Sequence, residues 1–362
     1  MKVVVFGLTV SSSWGNGHAT LWRGLLKALI RRGHRIVFFE RDIDYYRDNR
    51  DLHDLPGGEL VLYRDWPDVA ARAAREIAEA DVALVTSYCP DAPDAERAVL
   101  DASRALRVFY DLDTPVTLAA LDGAGSGAPR PAYVGPQGFS GYDLVLSYTG
   151  GPALDALRTR LGARRVAPLY GHVDPDLHRP VPREDRFTAD LSYLGTYAAD
   201  RQAALEALFI QPARERRDAK FLIGGAQYPA DFPWTDNIFF VRHLPPPDHP
   251  AFFSSGRLTL NVTRQAMAAM GWCPSGRLFE AAACGVAILT DAWDGLDSFF
   301  APGSELIVAR TTGDTLAAVD LSDAELGRIA EAGRARVLAH HTSDHRAGDF
   351  EAAVAAARAG AP

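Results

Sequence analysis

The sequence predicts an α/β protein made of two units in series, each a parallel sheet with helices on both faces. Three observations carry that expectation. Short apolar runs alternate with longer amphipathic ones, as strand–helix repeats require. A proline-rich stretch at 168–180 breaks the rhythm, reads as a connector, and is followed by a second round of the same alternation. The 362 residues suffice for two cores of ordinary size.

Val3-Val4-Val5-Phe6 reads as a buried strand. Leu21, Leu25, Leu26, Leu29 and Ile30 share one side of a helix over 19–32, which Gly33 stops. Strands follow at 35–39, 81–86, 107–110 and 143–147, with helices at 70–80, 94–105 and 152–161. Residues 122–141, rich in Gly and Pro, read as a mobile loop. After the connector, strands at 191–194, 221–223, 238–241, 258–261, 286–290 and 306–308 form a second sheet. Its helices lie at 200–208, after Ser275-Gly276, and at 321–340, and a last Ala-rich helix covers 350–359. Two such units leave a cleft where each sheet ends, the usual place for a ligand in open α/β folds.

Hydrophobic residues make up 48% and charged residues 23%, an ordinary globular balance. The net charge of -8 argues against a broad nucleic-acid-binding surface. Cys89, Cys273 and Cys284 show no CxxC spacing and an odd count, so free thiols in a reducing compartment are expected. Met1-Lys2 leads straight into a strand without the pattern of a signal peptide. No apolar run approaches the ~18 residues of a membrane span. A cytoplasmic protein is the expectation.

Residues 274–291 carry the most chemistry. Ser275 and Gly276 open a helix whose free N–H groups and partial positive charge suit an anion. Arg277 adds a fixed charge, and Glu280 falls one turn further on the same side. An anion cradle beside a carboxylate that accepts from hydroxyls suits a nucleoside diphosphate and its ribose; an ordinary capped helix would also account for the pattern. Gly195 and Thr196 follow the first strand of the second unit, Gly195 for close backbone approach and Thr196 for its hydroxyl and N–H. Arg201 is a candidate phosphate clamp, and Arg264, after the strand at 258–261, is a second phosphate or sugar contact.

The first strand runs into a glycine-containing loop, Gly7 to His18, which lacks the third Gly of the dinucleotide fingerprint. Glu40 ends the second strand near the place of a ribose reader, so a nicotinamide enzyme is a minor alternative. His18, at a helix start, is a candidate general base or acceptor contact; a capping role is the plain alternative. Asp111 and Asp113 precede Pro115, and a turn there would split them so that one faces the ligand. Either could orient an acceptor hydroxyl or replace His18 as base, and Asp111 stands with His18 as the catalytic pair of choice. No metal cluster emerges, and His340, His341 and His345 read as surface. No Gly-x-Ser-x-Gly nucleophile motif is present.

The stretches Ser13-Trp14-Gly15-Asn16-Gly17-His18-Ala19-Thr20, Tyr193-Leu194-Gly195-Thr196-Tyr197, Leu260-Asn261-Val262-Thr263-Arg264 and the run 275–285 resemble GT-B glycosyltransferases. Within that group the chain is similar to the spore maturation protein CgeB-like glycosyltransferases, and Val173-Asp174-Pro175 is similar too. The resemblance implies two Rossmann-like domains facing across a cleft. It places an acceptor-binding domain at 1–172, a nucleotide-sugar-binding domain at 173–345, and a C-terminal helix, 346–362, returning toward the first domain. It implies that Glu280 binds the ribose, that Ser275, Gly276 and Arg201 contact phosphate, and that His18 is the histidine at the start of the first long helix. It also implies a metal-independent reaction with no cofactor beyond the nucleotide-sugar donor, a UDP-sugar first, because helix dipole and Arg stabilise the departing diphosphate. One departure stands out. Many retaining members carry a Glu eight positions before the ribose Glu, where this chain has Trp272.

The expected activity is sugar transfer from a nucleoside-diphosphate sugar to a small-molecule or glycan acceptor, with no nucleic acid and no integral membrane segment. A nucleotide-sugar epimerase of the same architecture and a non-catalytic assembly protein with this fold are the alternatives. The sequence leaves the sugar, the acceptor, the stereochemistry and the oligomeric state open.

Overall fold

The computed structural model describes residues 1–124 and 130–360. Two compact units divide the chain: Met1–Tyr170 with Ser343–Pro362, and Gly171–Thr342.

The first unit is built on seven parallel strands: β1 (Lys2–Gly7), β2 (Arg35–Arg41), β3 (Glu59–Tyr63), β4 (Val82–Thr86), β5 (Leu106–Asp111), β6 (Leu144–Ser147) and β7 (Val166–Pro168). Their order is β3-β2-β1-β4-β5-β6-β7. β1 pairs in register with β2, Val4 opposite Val37, and with β4, Val4 opposite Ala83. β1 and β4 are buried on both faces, which explains their continuous apolar runs. The helix Gly17–Arg31 buries Leu21, Trp22, Leu25, Leu26 and Leu29 in a core shared with Val3, Val5, Phe38 and Val108. Gly33, at φ +87°, ends this helix in a conformation that other residues avoid.

The last helix, Ser343–Arg358, belongs to this unit. Ala347, Phe350, Val354 and Ala357 join the same core, each large side chain contributing about 1.5–3 kcal/mol by burial. Arg32 and His34 both pair with Glu351 at 2.6 Å, and Arg31 pairs with Asp344 at 2.9 Å.

The second unit repeats the pattern with six parallel strands: β8 (Ala189–Leu194), β9 (Phe221–Gly225), β10 (Ile238–Arg242), β11 (Gly256–Asn261), β12 (Ala287–Thr290) and β13 (Ile307–Val308). The order is β10-β9-β8-β11-β12-β13. Read from the first strand of each unit, this is the doubly wound order in which strand direction of travel reverses beside that strand. The reversal lies between β1 and β4 in the first unit and between β8 and β11 in the second.

Several elements differ from the sequence expectation. β3 and β7 were not foreseen, nor was the helix Thr114–Ala124. The stretch 122–141 is not simply a mobile loop. Residues 125–129 lie outside the described residues, but beyond them Phe139 is fully buried and stacks on Phe109 at 4.3 Å. The helix expected at 321–340 is Asp323–His340, opened by a capping box of Ser322 and Glu325, with a separate helix Thr312–Val319 before it. The final helix starts at Ser343. Among the described residues no helix is long and apolar enough to cross a membrane.

Candidate functional site

The second unit gathers its candidate residues at the carboxyl ends of β8 and β11. β8 ends at Leu194, and Gly195 N–H donates to the Gly224 carbonyl at 2.8 Å. A Cβ on Gly195 would stand 2.7 Å from the Tyr193 hydroxyl, and one on Gly225 would stand 2.0 Å from the Gly195 carbonyl. The two glycines thus let the loops after β8 and β9 lie backbone to backbone. Tyr228 closes them further by donating to the Gly195 carbonyl at 3.1 Å.

Arg201 follows on this loop and donates from Nη1 to the Thr196 carbonyl at 3.2 Å. Arg277 stands in the first turn of the helix Gly276–Ala283, whose cap is Ser275. The Ser275 hydroxyl accepts from Arg277 N–H at 3.3 Å, so this helix end spends one of its free donors internally. Arg201 Nε and Arg277 Nε are both buried, and among the described residues neither has a hydrogen-bond partner. Burial pushes the Tyr193 phenol up, and the charges of Arg201 and Arg277 both pull against that rise. Tyr228 feels the same two charges. The two guanidinium groups therefore share one neighbourhood around Tyr193 and Tyr228.

Glu280 lies in this neighbourhood. Burial favours its neutral form, but His178, His249 and Arg277 outweigh burial and hold its carboxyl below the ordinary Glu range. It is ionised at neutral pH. Arg264 is placed differently. Its side chain is 41% exposed and pairs with Asp200, the residue before Arg201, at 3.2 Å. Trp272, eight positions before Glu280, has φ +44°. Its N–H donates to the Asp294 carbonyl at 2.7 Å, and its ring fills the space a Cβ on Gly295 would need. Asp291 accepts from Thr263 N–H and hydroxyl at 3.0 and 2.9 Å, a structural tie between β11 and β12.

The first unit builds its site from the ends of β1, β4 and β5. Glu40, fully buried, accepts from Thr9 Oγ1 and Val10 N at 2.8 Å and from Ser11 N at 3.0 Å. The loop after β1 thus spends its N–H groups on the protein's own carboxylate. The Val10 and Ser11 N–H groups are therefore not available to cradle a phosphate. Asn16 caps the next helix by accepting from His18 N–H at 3.0 Å.

His18 Nε2 is 3.5 Å from Asp113 Oδ2, and Tyr88 donates to the same oxygen at 2.9 Å. The Tyr88 ring stacks on His18 with centroids 5.9 Å apart. Burial pushes the His18 imidazole down, but the charge and hydrogen bond of Asp113, with a further contribution from Asp111, push it up more. The net shift is upward. With Nε2–H turned to Asp113, Nδ1 would be the proton acceptor.

Asp111 lies deeper than Asp113, and its Oδ2 is buried with no hydrogen-bond partner among the described residues. It is fully buried, its Oδ1 accepts from Thr117 at 3.0 Å and from Asp113 N–H at 3.3 Å, and burial raises it to about 6. Asp113, two residues on, is the carboxylate that meets His18. The turn before Pro115 splits the pair, and of the two only Asp113 comes within ion-pair distance of His18.

Sequence reasoning passed over two further groups. Tyr88 meets His18 and Asp113 only through the order of the sheet. His178, His249 and Glu280 form a set whose ligand atoms lie within 4.8 Å of one another, where no metal cluster was expected. No local spacing betrays it, because each residue comes from a separate segment. His341, expected at the surface, is buried against Phe279 with centroids 4.9 Å apart.

Residues 201–352 match the family described as Glycosyl transferase-like. No curated protein sequence matches the chain. Solved structures do, in shape. Sucrose-phosphate synthase from Thermosynechococcus elongatus superposes with a TM-score of 0.69 at 12% identity, covering 100% of both chains. An alpha-glucosyltransferase (AGT) in complex with UDP gives 0.69 at 10% identity, covering 98% of this chain and 100% of the other. Anabaena Alr3699/HepE in complex with UDP and glucose gives 0.64 at 12% identity, with 98% and 100% covered. The whole chain has the two-Rossmann GT-B fold of these glycosyltransferases. The segment that carries Arg201, Arg264, Arg277 and Glu280 is the part that matches the Glycosyl transferase-like family in sequence as well.

Proposed function

We propose that the protein moves a sugar from a UDP-sugar to a hydroxyl acceptor, with the donor on the second unit and the acceptor at His18 of the first. One observation carries the reading. Two guanidinium groups, Arg201 and Arg277, share the surroundings of Tyr193 and Tyr228, and each keeps a buried Nε without a partner among the described residues. Such groups are costly to bury unless an anion completes them. A diphosphate supplies that charge, and the ionised Glu280 beside them accepts from the ribose hydroxyls. Gly195, Thr196, Ser275 and Gly276 let backbone and hydroxyl donors approach the phosphates. Arg264, bound to Asp200, stands as an outer sugar or phosphate contact.

In the reaction, His18 takes the proton of the acceptor hydroxyl as its oxygen attacks the anomeric carbon. The bond from that carbon to the diphosphate oxygen breaks, and its electron pair leaves with the diphosphate, where Arg201 and Arg277 stabilise the charge without a metal in the catalytic step. Asp113 steadies the imidazolium that forms. With Trp272 rather than a carboxylate at the expected hexose position, a single inverting displacement fits these residues. Within GT-B we assign the chain to the CgeB-like group on the run 275–285. Three buried cysteines without CxxC spacing accord with a reducing, cytoplasmic setting as part of the same reading.

Calorimetry with UDP tests the donor site. Arg201→Ala and Arg277→Ala each remove charge-assisted hydrogen bonds of about 1.5–3 kcal/mol, so each is expected to weaken UDP by roughly 10- to 100-fold. Glu280→Ala is expected to weaken UDP more than inorganic pyrophosphate. Unchanged UDP affinity in all three folded variants would sink the reading.

A further inference from the structure

We propose that His178, His249 and Glu280 form a binding site for a divalent first-row transition-metal ion, with zinc the best match. Their ligand atoms lie within 4.8 Å of one another. His178 ends the turn 174–178, where its N–H donates to the Asp174 carbonyl at 2.9 Å. His249 opens the helix His249–Ser255, and Glu280 stands on the helix Gly276–Ala283. Three segments far apart in the chain thus converge on one small space.

The hydrogen bonding points to an occupant. His178 is 1% and His249 8% exposed. Among the described residues, neither ring nitrogen of His178 has a hydrogen-bond partner, and His249 Nδ1 has none. His249 Nε2 contacts the Leu244 carbonyl at 3.3 Å, which fixes that ring with Nδ1 as its free atom. Buried imidazole nitrogens are normally satisfied, and here they face a carboxylate without bonding it. A cation at the centre of the triangle would satisfy all three groups with a modest inward shift.

The chemistry of the donor set chooses the ion. Two imidazole nitrogens and one carboxylate are an established zinc combination, with a fourth position left to water or a ligand. Magnesium and calcium prefer all-oxygen sets. The charges felt by the set are those of Glu280, Asp174 and Arg277, so the surroundings are net acidic before the ion enters. The leu-side contact of His249 resembles the second partner that metal-bound histidines commonly have, a backbone carbonyl on the other ring nitrogen. This inference shares Glu280 with the donor site but does not rest on the donor reading.

Metal loading of the full-length protein tests it. Purified protein, stripped with EDTA, is titrated with cobalt(II) and with zinc chloride, then dialysed and analysed for metal by mass spectrometry. The expected result is stoichiometric zinc, a visible cobalt spectrum of low-coordinate type that zinc abolishes, and a zinc-dependent rise in melting temperature reversed by EDTA. His178→Ala and His249→Ala should lose all three, while His345→Ala, an exposed control, keeps them. A wild-type protein that retains no metal and shows no cobalt spectrum overturns the proposal, and so does retention of stoichiometric metal by both folded variants. Should the variants fail to fold, the wild-type cobalt titration alone decides. UDP titration of metal-free and metal-loaded protein keeps the two readings apart, because failure of UDP in both forms touches only the donor site.

Discussion

At the residue scale, the pairing of His18 with Asp113 decides how the first unit could handle a proton. Burial alone would lower the imidazole, and Asp113 reverses that by charge and hydrogen bond. A base works only when deprotonated, so activity should fall as pH drops through the His18 value, which lies above the ordinary His value of about 6.5. Asp113→Asn removes the raising charge, so the acidic limb of the kcat/KM profile should move to lower pH. The maximal rate should fall as well, by roughly 10- to 100-fold, because the imidazolium is no longer steadied. An acidic limb at the same pH in the variant would remove Asp113 from this role. His18 was legible in the sequence because it stands alone after a glycine loop at a helix start. Asp113 was visible only as one of two neighbouring carboxylates, since the side chain that reaches His18 depends on the turn before Pro115. Tyr88 left no local sign. Its bond to Asp113 follows from the position of β4 beside β5.

At the element scale, most strands were legible because burial on both faces demands continuous apolar runs. The exceptions have physical causes. β3 is an edge strand, Glu59–Tyr63, with Leu62 exposed, so its pattern is short and mixed. β7 is three residues long and ends in Pro168, which an edge position tolerates. The helix Thr114–Ala124 has Pro115 in its first turn and offers few charged residues, so it lacks the polar stripe that marks an amphipathic helix. The last helix, Ser343–Arg358, shows how a weakly patterned element is held: an apolar row against the helix Gly17–Arg31, and ion pairs beside it. The Arg32 hydrogen bond is the main cause that holds the Glu351 carboxyl at about 2, with burial opposing and His34 adding to the drop. A depressed carboxylate stabilises the fold above its unfolded value and loses that contribution as pH falls toward the folded one. Glu351→Gln should therefore cost about 1 kcal/mol at neutral pH, the upper range for a partly exposed pair, and almost nothing near pH 2. Denaturant melts of both proteins at neutral and strongly acid pH check this; an equal deficit at both would show that the carboxylate charge is not the cause.

At the scale of the whole molecule, the same strand order appears twice, and in each unit the candidate residues collect where that order reverses. The sequence announced the second of these places better than the first. Arg277 and Glu280 sit within one helix turn of each other, so their shared side could be read directly, and Arg201 follows the β8 loop at short range. His178 and His249 could not be read, because only the fold brings their segments to Glu280. A ligand that binds the native chain and not the unfolded one raises stability in proportion to the logarithm of its concentration over its dissociation constant. UDP at about 100 times its dissociation constant should add roughly 2.7 kcal/mol. For a cooperative unit of this size that is a rise of several degrees, at roughly 2–4 °C per kcal/mol. The rise should survive Arg277→Lys in part, because the charge remains while the planar fork is lost. It should nearly vanish in Arg201→Ala and Arg277→Ala combined, and it should shrink as salt is added, since part of the attraction is between charges. Thermal melts across a UDP series, at low and high ionic strength, measure all of this. A double variant that still melts higher with UDP, by the wild-type amount, would place the diphosphate somewhere other than beside Tyr193 and Tyr228.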